Sequence, residues 1–129
     1  MTDPLDVLLV DAQDVDRELL ASVLGRWLRI SSETGEIIPR KGWSALDARR
    51  RALLFLLARK TAVLKKVAAG PEGAGAKVVE AGTGVKGGTM RRVLRELLDE
   101  RLVAQDERRG YYVPSYALED VAALLTETS

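Results

Sequence analysis

The chain has 129 residues, 47% hydrophobic and 30% charged, a balance that suits one soluble domain with a single core and excludes a disordered chain. It contains no Cys, His or Asn, which excludes disulfides, the usual zinc and iron–sulfur sites, and Ser-His-Asp or Cys-His catalysis. Net charge is +1 but uneven: residues 1–35 hold seven acidic and three basic groups, residues 36–70 two and nine, residues 71–110 seven and eight, and residues 111–129 three and none.

The N-terminus, Met1 to Asp6, is acidic and lacks the charged-then-apolar layout of a secretory signal. No apolar run reaches the ~18–20 residues of a membrane span, so a cytoplasmic protein is expected. Residues 5–10 followed by Asp11 resemble the opening strand of a response-regulator receiver domain. The basic segment Arg49 to Leu57 stands where that fold needs an apolar strand and a phosphoacceptor, and the resemblance fails there. Residues 15–30 are predicted to form a helix, with Asp14 or Asp11 as its cap and Asp16 and Glu18 at its positive end. Val15, Leu19, Leu20, Val23, Leu24, Trp27 and Leu28 give it a wide apolar face, suited to a partner subunit or to the chain's own core.

Ser31 to Gly42 reads as a connector with turns at Thr34-Gly35 and Lys41-Gly42, and Glu36-Ile37-Ile38 as a short strand or an arm. Arg40 and Lys41 precede Trp43, either facing a nucleic-acid backbone or solvated while Trp43 packs on a helix. Ser44 is predicted to start the next helix, with Asp47 completing a capping-box-like arrangement. Leu46 and the run Leu53 to Ala58 make that helix apolar on most sides, as a central core helix is. Arg49, Arg50 and Arg51 lie near its positive end, where cations are unfavourable, which suggests an external anion. Thr61 to Val67 continues the helix or starts another, and Ala69 to Gly75 breaks it.

Ala76 to Ala81 reads as a short helix and Gly82 to Gly84 as a turn, where Gly supplies positive φ. Met90, Val93, Leu94, Leu97 and Leu98 recur at three- and four-residue spacing on one buried helix face, with Arg91, Arg92 and Arg95 together on another. Leu102-Val103-Ala104 and Tyr111-Tyr112-Val113 read as strands joined by Gln105 to Gly110, and Pro114 ends the second. Ser115 is predicted to cap a last helix with Leu118, Val121, Ala122 and Leu125 on one face and Glu119 and Asp120 in its first turn.

The turn Thr83-Gly84-Val85-Lys86-Gly87-Gly88-Thr89, the step from Leu97 to Leu102-Val103 and the charged hairpin after it resemble the second half of a winged helix-turn-helix domain. The resemblance covers roughly residues 45–126. It implies a mainly α fold with a small β-hairpin wing and added N- and C-terminal helices. Residues 1–43 would be a helix and connector arm for packing or dimerisation, and residues 44–129 the winged domain with its C-terminal helix. It implies binding of double-stranded DNA, with a recognition helix over about 87–101 in the major groove and a wing over about 102–113. A homodimeric regulator of transcription, joined through its terminal helices, is the expected form. The DNA contacts on this reading are Lys86 in the turn, Gly88 and Thr89 in the first helical turn, Arg91, Arg92 and Arg95 on the helix, and Arg108 and Arg109 at the wing tip. Two positions depart from the family pattern. Lys86 stands where a capping Ser, Asp or Pro is common, and Arg101 where Gly usually ends the helix, at about 1 kcal/mol if φ must be positive.

The alternative is a winged-helix module that binds protein in a replication or transcription complex. Arginines standing clear of acids favour DNA, whereas a face neutralised by Asp99, Asp106 and Glu107 favours protein. An enzyme is not expected. Asp11, Asp14 and Asp16 begin a calcium-loop spacing without its Gly and closing Glu, and Gly82 to Gly88 lacks the Lys-Ser/Thr ending of a phosphate loop. No cofactor or metal is implied. The missing Cys, His and Asn fit a thermophilic source and equally a GC-rich genome.

Overall fold

Five α-helices and two short hairpins are built from residues 3–9 and 15–127, the part of the chain that the computed structural model describes. The protein is mainly helical, with a small antiparallel two-stranded hairpin late in the chain. No helix among the described residues is long and apolar enough to cross a membrane. Pro4–Leu8 forms a 3-10 turn rather than a strand, capped by Asp3, whose Oδ1 accepts from Leu5 N at 2.9 Å.

Helix α1 runs Arg17–Trp27 and is capped by Asp16, whose Oδ1 accepts from Leu19 N at 3.0 Å. Asp11 and Asp14, the predicted caps, lie outside the described residues. The helix ends three residues before the predicted limit. Leu28–Ile30 (β1) instead pairs antiparallel with Ile37–Pro39 (β2), with Arg29 opposite Ile38. Leu28 is buried and Arg29 exposed, so the apolar spacing of α1 runs into the alternation of a strand. Local chemistry then turns the chain: Ser31 Oγ accepts from the amides of Glu33 and Thr34, and Gly35 adopts φ +77°.

Trp43–Ala45 is a 3-10 turn, and the cap of the next helix is Asp47 rather than Ser44. Asp47 Oδ1 accepts from Arg50 N at 2.9 Å, while Leu46, extended and buried, separates the two turns. Helix α2 (Ala48–Leu64) is the centre of the molecule, with every residue from Ala52 to Ala58 buried. Helices α1, α3 and α4 all pack on it.

Helix α3 (Ala76–Thr83) includes Gly82, so the turn is shorter than the sequence predicts. A Cβ on Gly82 would lie 2.0 Å from Cε2 of buried Phe55, so the missing side chain is what lets α3 close on α2. The chain reverses at Gly84, φ +76°, and enters helix α4 (Gly87–Asp99). Helix α4 ends through Arg101 at φ +62°, the left-handed position at which the sequence offers no Gly.

The late hairpin pairs Ala104–Gln105 (β3) with Tyr111–Tyr112 (β4) and is shorter than predicted. Leu102 and Val103 are drawn off to cap α4, both donating their amides to Leu97 O. Ala74 extends the sheet on the far side, exchanging both backbone hydrogen bonds with Tyr111 at 2.9 and 2.8 Å. Helix α5 (Leu118–Thr126) follows a 3-10 turn over Ser115–Ala117 and has no side-chain cap, so Ser115 does not cap it.

One hydrophobic cluster runs from Leu20 of α1 to Leu125 of α5, and these two helices pack on each other. Much of the apolar face of each terminal helix is therefore buried within one chain. Leu20, Val23, Leu24, Leu118, Val121 and Leu125 are covered within the chain, while Leu19, Trp27 and Leu124 of these helices are only partly buried.

Candidate nucleic-acid interface

Helix α4 divides cleanly into two faces. Met90, Val93, Leu94 and Leu97 are buried against the core, while Gly88, Thr89, Arg91, Arg92 and Arg95 are exposed. The predicted basic positions thus share the outward side of one rigid element. Lys86 is the N-cap residue but caps with no side-chain hydrogen bond, which leaves the first-turn amides to solvent or a ligand. A Cβ on Gly88 would meet nothing within 4 Å, so the backbone there is openly approachable.

The turn that aims α4 is held by Thr83. Its buried side chain donates to Val79 O at 2.6 Å and accepts from Val85 N at 3.4 Å. Arg51 of α2 adds a clasp, donating to Thr83 O at 3.4 Å and to Ser44 O at 2.7 Å. Sequence reasoning missed this role. No periodicity marks a side chain that reaches two backbone carbonyls 7 and 32 positions away.

The same observation corrects the reading of Arg49, Arg50 and Arg51 as a sign of an external anion. Arg49 makes a two-pronged hydrogen-bonded pair with Glu100 at the end of α4, and Arg50 pairs with Asp47 at 2.6 Å. The cations at the positive end of α2 are matched inside the chain. The Glu100 hydrogen bond holds the Arg49 guanidinium above its ordinary pKa and the Glu100 carboxyl below its own, against an opposing desolvation effect in each.

These pairings decide how the acids lie around the exposed arginines. Glu100 is drawn to Arg49. Asp106 is used to shape the hairpin tip: its Oδ1 accepts from Arg108 N at 2.9 Å and Gly110 N at 2.8 Å. Arg109 adopts φ +63° in that tight turn. Glu96 approaches Arg92 only to 3.9 Å, with both side chains more than half exposed, a weak surface pair. Among the described residues, Lys86, Arg91, Arg95, Arg108 and Arg109 have no ion pair.

The hairpin tip is packed against the loop before α3. Added Cβ atoms at Gly73 or Gly110 would strike Asp106 or the facing backbone, so the tip stands as a fixed projection. Compared with protein-family models, curated proteins and solved structures, the chain matches none.

Proposed function

We propose that this chain is a winged helix-turn-helix protein that binds double-stranded DNA and regulates transcription. Helix α4 enters the major groove, and the β3–β4 hairpin is the wing that lies along the backbone. One observation carries the reading: Lys86, Arg91, Arg95, Arg108 and Arg109 are exposed without an ion pair among the described residues, while Glu100 at the end of α4 is paired with Arg49. Asp106 is held in the hairpin turn by the amides of Arg108 and Gly110, while Asp99 and Glu107 are exposed.

The roles follow from side-chain chemistry. Arg91 and Arg95 fork to guanine edges or phosphates, Thr89 meets a phosphate or a thymine methyl, and the open amides near Gly88 hold a phosphate. Lys86, Arg108 and Arg109 are backbone contacts that set the register.

Fluorescence anisotropy with mixed duplex DNA over a range of salt concentrations tests this, using wild type and the Arg91/Arg92/Arg95→Ala triple. Wild-type binding weakens with salt, and the triple loses about 0.9 of slope per phosphate contact removed. A loss equal on all sequences makes the arginines anchors rather than readers. Failure of the folded wild type to bind at low salt overturns the reading in favour of a protein partner.

A further inference from the structure

We infer that a second contact for the phosphodiester backbone of duplex DNA lies at the C-terminal end of α1, where Arg26, Arg29, Arg40 and Lys41 come together. The inference rests on the DNA reading above and extends its footprint beyond α4 and the wing.

The juxtaposition is made by backbone geometry. Arg29 of β1 donates from Nη1 to Gly25 O at 2.5 Å and to Leu28 O at 2.9 Å. Arg40, just past β2, donates from Nη1 to the same Gly25 O at 2.7 Å. One carbonyl therefore gathers two guanidinium groups, no farther apart than two hydrogen bonds end to end. Arg26, in the last turn of α1, sits 5.0 Å from the centroid of the Trp27 ring. The turn after Arg40 backs onto that ring, since a Cβ on Gly42 would lie 3.4 Å from Trp27 Cζ3, and Lys41 is the exposed residue between Arg40 and Gly42 in sequence. All four cations are exposed, and none has an ion pair among the described residues.

Capping of α1 accounts for only part of this arrangement. Two cations near the last carbonyls suit the negative end of the helix. One arginine would satisfy Gly25 O, however, and Arg26 and Lys41 cap nothing. Both capping arginines use Nη1 alone, so Nε and Nη2 of each make no hydrogen bond among the described residues. Those forked donors match the oxygens of a phosphate. Four exposed like charges without an ion pair among the described residues form a surface to which a polyanion is attracted.

The patch is also joined to the helix-turn-helix turn. Arg51 holds Ser44 O and Thr83 O within the reach of one guanidinium. Lys41 lies three residues before the first carbonyl, and Lys86 three residues after the second.

The test measures binding of a labelled duplex against salt for four proteins: wild type, Arg26→Gln/Lys41→Gln, the quadruple that adds Arg29→Gln and Arg40→Gln, and Arg91→Gln/Arg95→Gln. Circular dichroism checks that each is folded. Glutamine keeps a donor for Gly25 O, and the double variant removes no capping group, so it decides the matter if the quadruple does not fold. Each lost phosphate contact is expected to lower the salt slope by about 0.9 and the affinity in 0.1 M salt by about eightfold. Patch variants that bind as wild type does, while the α4 variant is weakened, overturn the patch and leave the DNA reading standing. Weakened patch variants beside an unaffected α4 variant support the patch and overturn the assignment of α4. Failure of the folded wild type to bind any duplex overturns both.

Discussion

At Gly82 the identity of one residue sets how closely two helices approach. A methyl group there meets the buried Phe55 ring rather than the free end of a mobile chain. Gly82→Ala is therefore expected to destabilise the fold by about 1–3 kcal/mol through overpacking, read as a lower urea midpoint. Arg101 is the opposite case. It holds φ +62° with a side chain that gains nothing from that conformation, so Arg101→Gly is expected to stabilise by about 0.5–1 kcal/mol in the same assay. The resemblance to a winged helix marked Arg101 as standing where Gly usually ends the helix, and its φ is positive. It gave no such signal for Gly82, whose role depends on a ring 27 positions earlier in the chain.

Among the elements, α4 owes its charge pattern to its neighbours. Spacing alone placed its buried and exposed faces, since a helix of known period fixes which residues lie together. Which acids remain beside the arginines was not legible, because Glu100 turns to Arg49 across 51 positions. Glu100 offers a test of that pairing. Its carboxyl is held below its ordinary value, so its stabilising effect is present above the unfolded value of about 4.5 and fades as the pH falls through the lower folded value. The group is largely exposed, so the effect at neutral pH is at most about 1 kcal/mol. Glu100→Gln should lower the melting temperature at pH 7 and leave it unchanged near pH 2. An equal loss at both values would show that the pair is not what couples α2 to α4.

In the whole molecule, residues from both ends of the chain enter one core. Trp27 and Trp43 belong to the N-terminal part, yet the cluster they join includes Leu118, Val121 and Leu125 of α5. Leu125→Ala is expected to cost about 2–5 kcal/mol, with tryptophan fluorescence and far-ultraviolet circular dichroism shifting together in a denaturant series. Separate transitions for the two signals would show that residues 1–43 and 44–129 behave as the two units the sequence suggested.

The sequence by itself determined the mainly helical class, the outward face of α4 and the presence of a late hairpin. Each is a matter of local period, turn chemistry or the exclusion of residue types, and needs only near neighbours. Tertiary structure alone decided that α1 stops at Trp27, that Asp47 rather than Ser44 caps α2, and that the terminal helices cover each other. It also decided that the arginines opening α2 face partners within the chain, while Arg91, Arg95, Arg108 and Arg109 have no ion pair among the described residues. Those outcomes depend on which distant group reaches a side chain first, and a carboxylate or carbonyl many positions away leaves no periodic mark on the sequence.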